Sequence, residues 1–469
     1  MPHRPPAVQA GCGESGRIGV AGSQARGGPP EVARPPGLSE AERARGRRLA
    51  ITSHPAGNTF AMALSEHLPT IALVALGAGE SMIGAQSSIK TGATLLQLPT
   101  LRRVARIPKR RILVTGQLLA VVGMTPLLFF PLLAEAASRG DPRPAWIALA
   151  ALAVAAAGIN ISNTVWFPML HAYMEPDRIG RFFAFLRSGW HLTLIVFYLG
   201  AARWLEHAPG AFGPLFGIVF ALGLLRIALI ARMPERNEMS AERIRLREAF
   251  KSILGSPLFR RYMLGVTAGH ALRAAVLPFV LVLLQREIGF SQSEILLTTI
   301  ATFAGGLVSL YGWGRLIDRR GPAPVFRAAS IGMAVLTLGL LAVREGSDAT
   351  LLVVILFFFV YAILSVGFGI ADTHVLFRLT PPEAPARTLV IAAVAVGLIA
   401  SIAPLGAGIG LERALAGTSD RLLVYHRFFV LTALLQAVSW WPLRVFRADV
   451  VDGPLLDSDV RRPNRAIDR

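Results

Sequence analysis

Ionisable side chains inside long apolar stretches are the residues of this sequence best placed to do chemistry. Glu66 lies within SEHLPTIAL, where a carboxylate could carry a proton or meet a cationic group. In the next apolar stretch, polar residues recur at steps of four, four and three, which places on one helix face Gln86, Lys90, Thr94 and Gln97. A polar face with one cation suits an anionic or zwitterionic solute, and equally a partner for Glu66.

A histidine and an arginine lie one helical turn apart in TAGHALRAAVLPF, at His270 and Arg273, with no acid nearby in the sequence. A charge at the middle of a membrane costs about 2.5–3.5 kcal/mol on insertion scales, so such groups generally face the protein interior and mark a pathway. Arg273 therefore needs a partner, which can be Glu66, Asp372 or an anionic solute.

Three more polar residues complete the predicted substrate pathway. Asn163 belongs to a group of amides and hydroxyls that could also serve only to join membrane helices. His191 could titrate near neutral pH, and Asp372 lies near the end of its apolar stretch. We expect Arg226 to snorkel to water from a membrane end and leave it out of the site. For Glu66 and Lys90 the alternative interpretation is a contact satisfied by a neighbouring helix, and Lys90 could also snorkel. For Asp372 the alternative is a salt bridge with Arg378 that acts as a gate.

Enzyme chemistry has little support in the sequence. It contains no H-E-x-x-H, no G-x-S-x-G, no phosphate-binding loop and no pair of acids at enzyme spacing on a polar segment. Its single cysteine, Cys12, excludes an internal disulfide and a thiolate metal cluster. We therefore predict no catalytic residues, no metal and no cofactor.

The composition indicates a membrane protein. Of the 469 residues, 53% are hydrophobic and 16% charged, whereas soluble domains carry about 25% charged residues. Apolar stretches long enough to cross a bilayer recur along most of the chain, and twelve are predicted near 54–78, 80–100, 111–135, 145–171, 182–204, 213–232, 261–285, 293–313, 324–343, 350–377, 388–411 and 423–444.

The charge of the connections predicts how these spans are oriented. LRRVARIPKRR after span 2 carries six basic residues and GRLIDRRG after span 8 carries three, whereas GAGE carries none and QREIGF one. The positive-inside rule then places both termini in the cytoplasm. The scarcity of lysine beside arginine favours a bacterial genome, for which the membrane would be the inner membrane. Because the net charge of +19 lies in short clusters between apolar runs, it indicates membrane topology rather than nucleic-acid binding.

The predicted fold class is an all-α polytopic membrane protein of about twelve transmembrane helices in two pseudo-symmetric six-helix bundles. An internal repeat supports two halves, because NTVWFPMLHAYMEPDR, residues 163–178, aligns without gaps on DTHVLFRLTPPEAPAR, residues 372–387. The predicted organisation is a disordered basic tail over 1–53, bundles over 54–232 and 261–446, a cytoplasmic linker over 233–260 and a second tail over 447–469. Within the linker, Glu242, Arg245 and Glu248 have helical spacing.

The connection GRLIDRRG carries a family resemblance. Its glycines, acid and arginine, Gly314-x-Leu316-x-Asp318-Arg319-x-Gly321, resemble the G-x-L-x-D-R-x-G loop motif of the major facilitator superfamily, and stand after span 8 as that fold requires. Glycine permits close helix approach and a sharp turn. The resemblance covers about residues 54 to 446. It implies a permease that works by alternating access, in which Gly314, Asp318, Arg319 and Gly321 form a latch that holds one conformation and releases in another.

Some features depart from the family pattern. In the first half, Arg106 stands where the second half has Asp318, so an acid latch there is lost or supplied from elsewhere. Span 4 lacks the central arginine of many proton-coupled drug exporters, and span 5 lacks the glycine–proline pattern of antiporters. Drug–proton antiport is therefore not supported.

The sequence thus predicts a monomeric permease in a lipid bilayer that moves a small solute, with no nucleic-acid partner. A proton as the coupling ion is a hypothesis motivated by Glu66 and the histidines within the spans. Two alternatives on the same fold stay open, a sensor that transports nothing and a carrier of the lipid-flippase kind.

Overall fold

The computed structural model describes residues 38–104, 106–173, 179–235, 255–343, 348–380 and 385–447. In these residues the chain forms sixteen α-helices and no strand. The helices are α1 Glu40–Ala63, α2 His67–Ala75, α3 Glu80–Gly92, α4 Gln97–Val104, α5 Lys109–Gly123, α6 Phe130–Ser138, α7 Arg143–His171, α8 Ile179–His207, α9 Phe212–Ile230, α10 Pro257–Arg286, α11 Gln292–Arg320, α12 Pro322–Gly339, α13 Asp348–Leu379, α14 Pro385–Ala400, α15 Ile402–Ala416 and α16 Arg421–Ser439. Short 3-10 turns extend several of them.

These helices follow the predicted spans, with α1–α2, α3–α4, α5–α6 and α14–α15 each forming one span from two segments. Among the described residues, nine segments are long and apolar enough to cross a membrane. The other three predicted spans correspond to α1–α2, α3–α4 and α8, which carry charged residues within the predicted limits, such as Glu66 and Lys90. The fold is therefore an all-α polytopic membrane protein. We refer to α1–α9 as the first half and α10–α16 as the second half.

The two membrane faces differ in charge. The basic face carries the connections that contain Arg102–Lys109 and Arg315–Gly321, and the opposite face carries those that contain Ala78–Glu80, Arg286–Phe290 and Thr418–Arg421. Between the two faces, large apolar side chains such as Val308 and Val438 are exposed, at 71% and 66%. Because an apolar exterior of this extent is unfavourable in water, it indicates contact with lipid.

The first helix begins earlier than the sequence analysis predicted. Ser39 and Glu42 form a capping box, in which the Ser39 N–H donates to Glu42 Oε2 (2.8 Å) and the Glu42 N–H donates to Ser39 Oγ (3.3 Å). Two turns into the helix, Arg47 also donates to the Tyr173 carbonyl (3.1 Å), which holds this part of α1 against the rest of the first half. The prediction of a disordered tail over residues 1–53 is therefore wrong for residues 40–53. Residues 1–37, the helix predicted around Glu242 and the tail predicted beyond residue 447 lie outside the described residues.

The first span is interrupted at its centre. Helix α1 ends at Ala63, Leu64 is its C-cap, and α2 begins at His67 with Glu66 as its N-cap. The cause lies in Pro69, whose ring has no N–H and clashes with the carbonyl of the residue four positions earlier, Ser65, in a continuous helix. The interruption places Glu66 and His67 at a helix end inside the protein.

Candidate functional site: a cavity between the two halves

A cavity of about 310 Å³ lies between the two halves at the level of this interruption. Its walls come from α2 and α3 of the first half and from α10 and α13 of the second. Three charged residues line it, together with two histidines and several hydroxyl and amide side chains: Glu66, Lys90, Arg273, His67, His270, Ser65, Thr70, Gln86, Ser87, Thr91 and Ser365. The predicted residues Glu66, Lys90, His270 and Arg273 are thus brought together from segments about two hundred positions apart.

In the first half, Lys90 and Glu66 form an ion pair. Lys90 Nζ donates to Glu66 Oε1 at 2.9 Å, and the side chains are 41% and 27% exposed. Of the two interpretations that the sequence left open for Lys90, pairing with Glu66 is the one observed. The pair neutralises both charges where they line the cavity.

In the second half, Asp372 accepts two hydrogen bonds. The Tyr262 hydroxyl donates to Asp372 Oδ1 at 2.5 Å, and His270 Nε2 lies 3.0 Å from Asp372 Oδ2. Arg273 Nη2 lies 2.8 Å from His270 Nδ1. Because a guanidinium has only donors, His270 Nδ1 must accept this bond, so the proton of the neutral ring is on Nε2 and is donated to Asp372. One series of hydrogen bonds therefore runs from Arg273 through His270 to Asp372, which also accepts from Tyr262.

The guanidinium of Arg273 is held by uncharged partners. Besides His270, it donates to the Ser365 carbonyl at 3.1 Å and lies over the Phe368 ring, 4.6 Å from its centroid. Phe368 can pack here because position 269 is glycine, where a Cβ would overlap the ring. Among the described residues, no carboxylate lies within ion-pairing distance of Arg273.

A second cavity of about 140 Å³ adjoins the first and shares with it Ser65, Gln86 and Lys90. Asn163 and Arg226 both line it. Arg226 is 5% exposed and lies 5.2 Å from the centre of the Trp166 ring, and its Nε has no hydrogen-bond partner in the described part of the chain. The prediction that Arg226 snorkels to water is therefore wrong. Its guanidinium packs against the glycine at position 57, where a Cβ would overlap it.

Two histidines lie where the halves meet beside the cavity. His67 is 5% exposed, and its Nδ1 is 2.7 Å from Thr299 Oγ1 of α11. His191, which was predicted to line the pathway, lies in the contact between α8 and α11, with Trp190 and Phe303 at ring distances of 4.1 and 6.3 Å. His191 is not among the residues that line either of these two cavities.

Comparisons with known proteins agree with this architecture. The family model described as Major Facilitator Superfamily matches residues 56–443. The chain belongs to the major facilitator superfamily. A search of curated proteins gives no match.

Three solved structures show that the chain shares the fold of the superfamily. The D323A mutant of the nucleoside transporter NupG is 12% identical, with a TM-score of 0.65 over 86% of this chain and 99% of its own. A bacterial homologue of the iron transporter ferroportin in its inward-facing state is 17% identical, with a TM-score of 0.61 over 85% and 98%. A D-xylose–proton symporter is 16% identical, with a TM-score of 0.60 over 85% and 97%. The family and these neighbours indicate a transporter and not an enzyme.

The superfamily loop motif lies at the basic face, at the end of α11. Gly321 has φ = +75°, and its N–H donates to the Ile317 carbonyl at 2.8 Å, so this glycine makes the predicted sharp turn. Gly314 faces open space rather than a neighbouring helix, so the expected close approach does not occur there. Asp318 and Arg319 are exposed, and the described part of the structure gives Asp318 no ion-pair partner.

In the first half, an acid from outside the loop caps the helix that follows it. Glu235 accepts hydrogen bonds from the Lys109 N–H (2.6 Å) and the Arg110 N–H (2.9 Å), at the N-terminus of α5. Beside it, the Tyr173 hydroxyl donates to the Pro234 carbonyl at 2.6 Å. Burial, with a smaller contribution from Glu235, raises the pKa of Tyr173 far above its usual value, so the hydroxyl keeps its proton.

An ionic network that was not predicted from the sequence lies at the opposite face. Glu80 of the first half is 5% exposed, and its Oε1 lies 2.7 Å from Arg286 Nη1 and 3.6 Å from Arg421 Nη2. Tyr425 donates to the same oxygen at 3.1 Å, and Arg421 Nε pairs with Glu287 at 2.7 Å. The sequence did contain a sign of this network, because GAGE has an acid and QREIGF has a base, and the predicted topology places both connections on one face.

Proposed function

We propose that this chain is a secondary active transporter that binds a small polar solute in the cavity between its halves and exposes it to each membrane face in turn. The observation that carries the proposal is that charged side chains from both halves line one cavity. Among the described ion pairs, those that join the two halves all lie at one membrane face. Binding sites at the interface of two repeats are a property of transporters that work by alternating access.

The packing of the helices supports a cavity that is closed toward the opposite face. Near that face α3 and α15 touch backbone to backbone, since a Cβ at Gly84 would overlap the Pro404 carbonyl and one at Gly408 would overlap the Glu80 carbonyl. The Ser81 N–H also donates to Glu412 Oε2 at 2.9 Å. The basic face has a different arrangement, because the extensive described contacts of α7 and α13 are with helices of their own halves. We therefore propose that the cavity opens between these two helices toward the basic face.

We further propose that a proton is the coupling ion and binds at Asp372. This carboxylate accepts hydrogen bonds from Tyr262 and His270, and it is linked through His270 to Arg273 in the cavity. A proton that binds to this series of hydrogen bonds protonates either Asp372 or His270 Nδ1. The protonated atom no longer accepts a hydrogen bond, and the contacts of Arg273 change as a result. Proton binding and solute binding are coupled in this way.

The experiment that tests the transport function begins with metabolite profiling inside and outside cells that lack or overproduce the protein. A pool that follows the wild type and not Arg273→Ala identifies the solute. Its uptake into proteoliposomes is then measured with and without a proton gradient for the wild type, for Asp372→Asn and for Glu206→Gln, which alters an exposed acid on α8.

We expect the wild type and Glu206→Gln to respond to the gradient, and Asp372→Asn to retain solute exchange but lose that response. Transport by the wild type that is indifferent to the gradient would remove the proton proposal alone. If no pool follows the protein under several growth conditions, the transport proposal fails in favour of a sensor, and a response confined to phospholipids would indicate a flippase-like carrier.

The proposal includes the location of the protein in the cell and its orientation in the membrane. We place the protein in the bacterial inner membrane as a monomer. The basic connections support an orientation with the basic face and both termini in the cytoplasm. With that orientation, closure at the opposite face makes the described conformation inward-facing.

A further inference from the structure

The two adjoining cavities contain more positive than negative side chains. Their lining includes three cations, Lys90, Arg226 and Arg273, but a single carboxylate, Glu66. Because Glu66 pairs with Lys90 at 2.9 Å, neither arginine has a carboxylate of this lining as a partner. Asp372 lines neither cavity and lies behind His270.

The contacts of the two arginines confirm this imbalance. Arg273 is held by a carbonyl, an imidazole and an aromatic ring, and both oxygens of the carboxylate behind it, Asp372, already accept hydrogen bonds from Tyr262 and His270. Arg226 is buried against Trp166 with an unsatisfied Nε. An arginine that is removed from water without a carboxylate is costly, and an anion that enters the cavity offsets this cost.

We infer that the solute is a small organic anion whose carboxylate or phosphate oxygens bind Arg273, with Arg226 supplying a second positive charge from the first half. This inference rests on the proposed transport function and specifies its substrate class. A planar guanidinium with free N–H groups binds both kinds of oxyanion by charge-assisted hydrogen bonds. The same excess of positive charge repels metal cations and amines, and an uncharged solute leaves it uncompensated.

Arg273 contributes an orienting role as well as a charge. Its two terminal nitrogens are fixed by the Ser365 carbonyl and His270, and Phe368 covers one face of the guanidinium. A side chain fixed in this way has little rotational freedom left to lose when a ligand binds. Lysine at position 273 would keep the charge but lose this geometry.

The inference is tested by ligand-dependent thermal unfolding of the purified protein in detergent, followed by tryptophan fluorescence. The anionic probes are lactate, succinate, citrate and glycerol 3-phosphate. The matched uncharged probes are lactamide, succinamide and glycerol, and the cationic probes are ethanolamine and Mn²⁺. The variants are Arg273→Gln, Arg273→Lys and, as a control, Arg203→Gln, which removes an exposed arginine of α8.

We expect at least one anion, and none of the uncharged or cationic probes, to raise the unfolding temperature of the wild type and of Arg203→Gln. Its apparent Kd should weaken by about tenfold or more in Arg273→Gln, as for a buried charge pair that loses one partner, and by less in Arg273→Lys. If Arg273→Gln does not fold, the apparent Kd of the anion is compared between the wild type and Arg273→Lys instead, and a weaker affinity of the lysine variant supports the inference.

Stabilisation by uncharged or cationic probes, a panel in which no anion stabilises, or equal anion affinity in the Arg273 variants would overturn the inference. Its failure can be distinguished from failure of the transport proposal. Transport of an uncharged solute refutes the anion and leaves transport intact, whereas an anion that binds through Arg273 but is not moved across proteoliposomes supports the anion and refutes transport.

Discussion

At the scale of single residues, pairing decides what each charged side chain in the cavity can do. Glu66 and Lys90 neutralise each other, whereas Arg273 and Arg226 have no carboxylate at ion-pairing distance among the described residues. The sequence could indicate Glu66, Lys90, His270 and Arg273 because charge is rare in apolar segments. It offered Glu66 as one partner for Lys90, but it could not indicate that His270 bonds to Asp372, because these residues are a hundred positions apart and meet only in the folded chain.

The pair between Glu66 and Lys90 predicts a specific double-mutant result. Glu66→Gln and Lys90→Gln each leave one charge uncompensated near the centre of the membrane, so each should lower the unfolding temperature, and the double variant should recover part of the loss. We expect a coupling energy of about 1 kcal/mol, near the lower part of the range for residues in contact, because Lys90 is 41% exposed.

The exposed pair Arg203–Glu206 is the matched control for this cycle, with side chains 71% and 51% exposed. Its coupling should be smaller, since water screens it. A coupling between Glu66 and Lys90 no larger than that of the control would show that their ion pair does not persist in solution.

At the scale of helices, two boundaries differ from the prediction for local reasons. The start of α1 at Glu40 depends on a capping box between Ser39 and Glu42, which the basic composition of the surrounding tail obscured. The interruption before His67 depends on Pro69, and it is what turns Glu66 from a mid-helix residue into an N-cap beside the cavity. The apolar pattern of the sequence predicts a span here but not the place where it breaks.

The capping of α5 by Glu235 predicts a loss of stability on mutation. Glu235→Ala removes the acceptor of two backbone N–H groups at a helix N-terminus, together with a favourable negative charge there, and should cost about 1 kcal/mol. Glu235→Gln should cost less, because its amide oxygen still accepts a hydrogen bond. The measurement is the unfolding temperature in detergent, with Glu206→Ala as the exposed control, and equal stability of Glu235→Ala and the wild type would contradict the capping role.

The contact between α3 and α15 predicts different effects on stability when two glycines of α15 are each replaced by alanine. Gly408→Ala places a methyl group against the Glu80 carbonyl, which cannot move without shifting α3, so the unfolding temperature should fall. Gly406 faces open space, and Gly406→Ala should leave stability unchanged or raise it by about 0.5–1 kcal/mol through helix propensity. Equal effects of the two substitutions would show that α3 and α15 do not pack this closely.

At the scale of the whole molecule, the sequence allowed the fold and family to be predicted, because apolar length and the motif GRLIDRRG are local properties. The closure at the opposite face was not predictable in the same way. Glu80, Arg286 and Arg421 come from three distant connections, each with few charges, and only the packing of the halves brings them together. This network and the cavity are the two parts of the structure on which the proposed alternating access depends.

The most direct test of that account is the accessibility of the cavity from each face. Ser65 lines both cavities, so Ser65→Cys in a Cys12→Ser background supplies a single thiol, which is probed with a membrane-impermeant maleimide in right-side-out and inside-out vesicles. We expect labelling from the basic face in the parent protein, and additional labelling from the opposite face when Arg286→Gln removes the main partner of Glu80, with Arg203→Gln as a control without effect. Labelling of the parent from the opposite face, or no change in Arg286→Gln, would contradict a cavity that the ionic network closes.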